Sequence, residues 1–517
     1  MIMCMNDKNR IPLTVGITGH IDLRERDRDS LYRAVIGELA RLRDRYPHTP
    51  LRMLCSLAAG ADLLCADAAE ELGIPLTAVL PLAVEDYRQD FHEADLAKLN
   101  RHLDRAETVF TAPAAEAEPA EPTRDFHYRQ AGIYIAEHSH VLLALWDGQA
   151  DESGCGTAAA VRFALEGDWQ PVREMPVRSA ENSLVVHIRT PRTEESEETA
   201  GEVRRLGNEQ AWETMMARTE EFNTMAADCA GQDAYDAADA LSLGFARKYR
   251  RALYGLALAG TVLTLAFLLY DEAELTWMIL VCGAALVFAA RLLRLTRKTA
   301  CHRRFIEYRE LAETLRVQRY LRDAGSRLEV QRLMTWTQRQ ETPWILCAMC
   351  AANAVPPPAE KEDVLTRWVE GQREYHRNAG GRTAAQQKKK ERILGIAMRI
   401  SALVYLSTLA YELLFGGMLF APLIPLTNPE TGRTVIKIVL GTQSAATLFM
   451  AGYYGKMSLE RVTSDHEKME QFYEKAADRL ARCGQNEQIL EVLVREELTE
   501  NGNWSSYQRD NAPEMNV

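Results

Sequence analysis

The chain of 517 residues has no cysteine framework: its ten cysteines show no paired spacing except Cys347-x-x-Cys350, and neither a second pair nor a His-x-His partner stands nearby. A disulfide scaffold and a structural zinc site are therefore not expected, and isolated thiols suit a reducing compartment. A basic surplus is missing as well. The net charge of −12 argues against a nucleic-acid partner, and most of the acid lies before residue 246 and after 460. Residues 1–10 lack the apolar stretch of a secretory signal, so the amino-terminal domain is expected in the cytoplasm. A mean hydropathy of −0.25 excludes a mostly membranous chain. The length suggests about three domains, and 47% hydrophobic residues allow a core in addition to membrane segments.

What is present is a pair of uncharged runs. Residues 252–270 carry no charge, and only Asp-Glu-Ala-Glu at 271–274 separates them from a second run at 275–293 whose first sixteen residues are also uncharged. About 20 apolar residues are needed to cross roughly 30 Å of hydrocarbon, because every backbone polar group must be satisfied within the helix. A second pair follows at 393–420 and 435–455, and its first member contains Arg399 and Glu412. Residues 294–392 hold 21 Lys and Arg against 12 Asp and Glu, whereas the 271–274 turn has no base. The positive-inside rule then puts this middle segment and both termini in the cytoplasm, giving four spans in two hairpins.

Charge inside a membrane usually faces a partner or a pore, which makes Arg399 and Glu412 pore candidates; both also stand near span ends, where long side chains snorkel. A shift of 164 superposes Arg297, Thr299, His302, Glu310 and Ala312 on Arg461, Thr463, His466, Glu474 and Ala476. Each unit then consists of a basic approach, two spans and a trailing helix. In the segment WVEGQREYH, Trp368 and Tyr375 are expected to serve helix packing.

From residue 11 to about 192 short apolar runs alternate with amphipathic stretches, the pattern of a doubly wound, mainly parallel, Rossmann-like α/β sheet. Six strands are expected at 13–18, 51–57, 75–81, 108–112, 140–146 and 183–189. Helices are expected near 30–46, 60–72, 86–106 and 125–138. The full organisation expected is an α/β domain at 1–192, a helical linker at 193–246, hairpin units at 247–392 and 393–490 with trailing cytoplasmic helices, and a disordered tail at 491–517.

Ligands of such sheets bind at the carboxyl ends of strands, where backbone N–H groups at helix starts hold anions. Strand one ends in Gly16, Thr18, Gly19 and His20; strand two runs into Ser56, Gly60 and Asp62; strand five runs into Asp147 and Gly148, followed by Gly154, Gly156 and Thr157 at a helix start. Glycine admits a phosphate close to the backbone and the hydroxyls can donate. Tight strand-to-helix turns also use glycine for structure alone, but several in strand order within one domain point to a nucleotide-like ligand.

GITGH, SLAAGADLLCADAAEELG, VLPLAVEDYRQDF, HVLLALWDG and SGCGTAAAV resemble the SLOG superfamily of Rossmann-like domains, which includes the DprA and LOG proteins. The two-span unit from about residue 247, with its trailing YRELAETLR, resembles the SLATT family of membrane effectors. The resemblance implies a sensor of a nucleotide-derived second messenger, a cyclic nucleotide or an ADP-ribose derivative, with no other cofactor and no metal. It further implies a multi-pass protein of the bacterial inner membrane that permeabilises the lipid bilayer in antiviral defence, as a homo-oligomer. The LOG motif PGGxGTxxE places its catalytic glutamate where this chain has Ala160, and Gly154-Cys155 replaces the paired glycines, which favours binding over hydrolysis. The alternative is a membrane-anchored nucleotide or nucleoside-phosphate hydrolase of the LOG type.

Overall fold

The computed structural model describes residues 7–115, 119–150, 154–166, 182–192, 199–229, 231, 233–357, 363–415, 429–455, 457 and 459–510. The chain divides into two compact units. The first comprises Met1–Leu241, Glu310–Glu362 and Val494–Gly502; the second comprises Ser242–Arg309, Asp363–Leu493 and Asn503–Val517.

The first unit contains β1 (Leu13–Gly19), α1 (Arg28–Arg45), β2 (Leu51–Cys55), α2 (Ala61–Leu72), β3 (Leu76–Leu80), α3 (Val84–Tyr87), α4 (Glu93–Arg105) and β4 (Thr108–Thr111). It continues with α5 (Arg124–His138), β5 (Val141–Trp146), α6 (Thr157–Glu166), β6 (Leu184–Arg189), β7 (Val203–Gly207) and α7 (Glu209–Ala226). The strands form one sheet in the order β4-β3-β2-β1-β5-β6-β7. The first six run parallel and β7 is antiparallel to β6. All six expected strands form: the inner runs are covered on both faces, every residue of β3 being buried, as are Leu13, Val15 and Ile17 of β1, whereas the edge strand β4 alternates half-buried and exposed residues. The seventh strand falls in the expected helical linker. Its sequence VRRLG hides it: as an edge strand it turns charge outward, and Arg205 pairs with Glu38 of α1 at 2.8 Å.

The α/β core does not close at residue 192. Asn223 of α7 returns to the first strand's approach, accepting from the Ile11 N–H and donating to the Ile11 carbonyl, both at 2.8 Å. Downstream come α8 (Ala234–Glu272), α9 (Met278–Thr299), α10 (Cys301–Asp323), α11 (Val330–Leu333), α12 (Trp336–Glu341) and α13 (Pro343–Ala352). The wholly apolar α13, with Cys347 and Cys350 buried, packs on α5 and α7, and Tyr134 Oη donates to the Asn353 carbonyl at 3.1 Å. Residues read as a membrane-proximal segment thus belong to the α/β unit, because α13 has no polar face and must be covered.

The second unit is helical, built on parts of α8 and α10, on α9, and on α14 (Gly371–Leu414), α15 (Pro429–Gly455), α16 (Leu459–Cys483) and most of α17 (Glu487–Asp510). The expected disordered tail is therefore helical as far as Asp510; residues 511–517 lie outside the described ones. Within it and just before it, Leu490, Leu493, Val494 and Leu498 recur at helical spacing and are buried. Trp368 is fully buried as packing.

Among the described residues, four helices are long and apolar enough to cross a membrane, and at most 17% of their apolar windows is buried by protein. This supports a multi-pass membrane protein with lipid-facing sides. Helices approach closely at glycines: a Cβ on Gly260 of α8 would stand 2.3 Å from Phe449 of α15, and one on Gly441 of α15 would stand 2.6 Å from Leu268. Each hairpin folds its following helix back onto its incoming stem. The His302 ring lies 4.5 Å from that of Tyr249, and the His466 ring 5.2 Å from that of His376, so the superposed histidines occupy corresponding places.

Candidate functional site

The direction of strand addition reverses at β1: β2, β3 and β4 follow on one side, β5, β6 and β7 on the other. In open α/β sheets such a reversal is where a ligand crevice is expected, at the carboxyl edge beside the loops that leave β1 and β5. His20 ties this edge together. Its N–H donates to the Leu145 carbonyl at 3.1 Å, and its carbonyl accepts from the Ala61 N–H at 3.0 Å. Its Nε2 accepts the Asp147 N–H at 3.1 Å. Burial lowers the His20 pKa, with Asp147 opposing and Arg192 adding to the effect. Because Nε2 accepts the Asp147 amide, the ring proton is placed on Nδ1. A nitrogen that accepts an amide cannot also donate, so the 3.3 Å approach of Nε2 to Asp147 Oδ1 is a contact and not an ion pair.

The Asp147 carboxylate accepts from the Gln149 N–H at 3.0 Å, turning the chain through Gly148 at φ 85°. α6 begins at Thr157 and packs on β1, β5 and β6. A helix start leaves N–H groups unpaired and carries the positive end of the helix dipole. Gly154 stands before it at φ 70° with open space where a side chain would be, and the Gly156 carbonyl accepts from the Ala159 and Ala160 N–H groups at 3.1 and 3.2 Å. Thr18 and Ser56 are half-buried at strand ends, and Thr157 is buried.

Four of the expected contacts have structural work instead. Gly16 lies under α5, where a Cβ would stand 2.2 Å from Ser139 Oγ; it belongs to helix packing and not to the crevice. On Gly19 a Cβ would come within 2.4 Å of that of Ala61, so the glycine seats α2 on β1. Asp62 is 4% exposed and serves the loop before α2, its Oδ2 accepting the Ala58 N–H at 3.3 Å, with a further bond from the Ser56 N–H. Burial raises its pKa to about 7 against these hydrogen bonds. The loop wound around it is strained at Leu57, at φ 58°, and turns through Gly60 at φ 76°. A Cβ on Gly60 would lie 2.2 Å from the Ile21 carbonyl, which fixes this position as glycine. Ala160 is 5% exposed and faces Gly132 of α5, so position 160 is inside a helix contact.

The sequence pattern missed the rim. Arg192, just after β6, grips Asp22 beyond β1 with its Nε 3.1 Å from each carboxylate oxygen. The partners are far apart in the chain and no local motif marks them. Away from the crevice, His138 donates from Nδ1 to the Tyr134 carbonyl at 2.9 Å and from Nε2 to Glu329 at 3.0 Å. Burial alone would lower its pKa, and Glu329 more than offsets this, so the pKa is raised. This buried pair fastens α5 to the turn before α11.

Among the described residues, Asp67, Glu70 and His102 alone bring three metal-type ligand atoms together, within 4.8 Å. Lys98 at 2.9 Å and Arg101 hold the Asp67 carboxylate, and Arg105 holds Glu70. The cluster is an ion-pair network in which these cations engage the carboxylates.

The two pore candidates differ in their surroundings. Glu412 is gripped by Arg433 of α15 through bonds of 2.7 and 2.6 Å that close the second hairpin. Arg399 is exposed, two residues from Ala397, whose carbonyl accepts from Gln443 of α15; at 100° per residue it points away from that contact. Arg433 was invisible to the hydropathy reading because it stands before the apolar run it serves. No family model matches the chain, and comparison with curated proteins gives no match.

Proposed function

We propose that this protein is a membrane effector whose α/β unit takes a nucleotide-derived second messenger at the β1/β5 edge and whose helical unit perturbs the bilayer in response. The observation that carries the reading is the coincidence, at one strand-order reversal, of the His20–Asp147 tie, the left-handed Gly148 and Gly154 and the start of α6, in a chain whose described residues also include four membrane-length helices. Backbone N–H groups at such a place suit phosphate. The resemblance to SLOG and SLATT proteins supplies the wider setting: a bacterial inner membrane, cytoplasmic termini and antiviral defence. Four helices of one chain seldom enclose a pore, so the active form is proposed to be a homo-oligomer. Alanine at position 160 supports binding over hydrolysis.

Titration calorimetry of the full-length protein with cyclic nucleotides, ADP-ribose and nucleoside monophosphates tests the site. Gly154 has room for a side chain, and both Asp and Asn tolerate its left-handed backbone. Gly154→Asp adds a charge that repels phosphate and is expected to weaken binding at least about tenfold, roughly 1.4 kcal/mol. Gly154→Asn, of the same shape, is expected to bind nearly as wild type. Equal binding by all three proteins, or none by the wild type, would refute the assignment.

A further inference from the structure

At the foot of the helical bundle, α8, α14, α15 and the start of α16 surround a cleft of about 620 Å³. Arg247, Arg250, Arg251 and Tyr254 of α8 line it at i, i+3, i+4 and i+7, a single helix face. Lys389 of α14 adds a fourth cation from across the cleft. Among the described residues none of these four cations has a carboxylate partner, although neighbouring arginines on α14 do: Arg373 meets Glu474 at 2.6 Å and Arg377 meets Glu470 at 2.7 Å. Like charges at i and i+4 destabilise a helix, so Arg247 and Arg251 stand together at a cost. The positive-inside rule accounts for base on the stems. It does not require four unpaired cations from two helices to converge on a concavity.

The surroundings choose between kinds of anion. Tyr254 and Tyr453 meet edge-to-face at 6.2 Å on the cleft wall, and tyrosine favours the headgroup level of a bilayer. Farther along the same face of α8, Leu258 and Leu265 are exposed to 52% and 36%, offering an apolar track above the basic floor. Base, aromatic belt and apolar track in that order match a phosphate, a glycerol backbone and acyl chains.

We propose that the cleft binds the phosphate headgroup of an anionic phospholipid, with the acyl chains lying along the exposed face of α8. This rests on the membrane helices alone and stands or falls separately from ligand binding at the β1/β5 edge. Basic pockets between membrane helices are suited to such headgroups.

The test is native mass spectrometry of the full-length protein in neutral detergent with cardiolipin, phosphatidylglycerol, phosphatidylcholine or inorganic pyrophosphate. The wild type is expected to retain an anionic lipid roughly tenfold over phosphatidylcholine, and Arg247→Gln/Arg251→Gln to lose most of that preference. Arg291→Gln/Arg294→Gln, on α9 and outside the cleft, is the charge-matched control and should keep it. If the cleft double variant does not fold, Lys389→Gln is read instead, with a partial loss expected. No preference in the wild type, or equal loss in the control, would overturn the proposal. Retention of pyrophosphate with no lipid preference would assign the cleft to a soluble phosphate and overturn the lipid assignment.

Discussion

The glycines of the strand ends divide by what approaches them. At Gly16 and Gly19 the neighbour is a helix, and at Gly60 it is the Ile21 carbonyl, whereas Gly154 faces open space. Sequence alone does not separate these cases, since a helix side chain and a phosphate both demand a missing Cβ. Gly60→Ala should destabilise the α/β unit by about 1–3 kcal/mol, measured by denaturant unfolding, because it places a Cβ against a carbonyl at positive φ. Asp62 has a different signature. Its folded pKa of about 7 lies above the ordinary 3.8, so the folded state holds the proton more tightly. The associated stability is complete below about 3.8 and is lost as pH rises through about 7. Asp62→Asn, which keeps an acceptor for the Ala58 N–H, should flatten the stability profile across that window; an unchanged profile would show that Asp62 does not titrate there. His138 acts in the same direction, since its raised pKa makes its contribution complete below 6.5 and lost as pH rises through the folded value.

Among the elements, the five inner parallel strands were legible because burial on both faces leaves continuous apolar runs, and the edge strand β4 from the short alternating run TVFT. The edge strand β7 was not, because its pairing needs only one apolar side and its Arg205 pairs with Glu38 of α1. The membrane helices were legible from the absence of charge. Their mutual fastening was not, because Glu412–Arg433 and Glu272–Lys437, at 3.0 Å, join residues on different helices. Glu412→Arg should loosen the second hairpin, and Glu412→Arg/Arg433→Glu should restore it, read as protection of residues 405–440 from hydrogen exchange in vesicles. A double variant no better than the single one would show that the pair does not hold the hairpin. Gly260→Leu should separate α8 from α15, lowering the melting temperature of the reconstituted protein, because Phe449 already fills that space.

At the scale of the whole molecule, the sequence reading placed a sensor before a membrane domain in linear order. Instead the chain returns to the α/β unit twice, at 310–362 and 494–502, and passes from one unit to the other within α8, α10 and α17. Such returns are hard to read from sequence, because each inserted helix satisfies its own local pattern whichever unit covers it. The same continuity gives the proposed function its physical route: a change at the β1/β5 edge has covalently continuous helices through which to bias the bundle. Dye release from vesicles containing the full-length protein tests this most directly. Release is expected only with a nucleotide that binds the wild type, and is expected to be lost in Gly154→Asp and kept in Gly154→Asn. Vesicles that stay sealed with every nucleotide that binds, or that leak equally with Gly154→Asp, would contradict it.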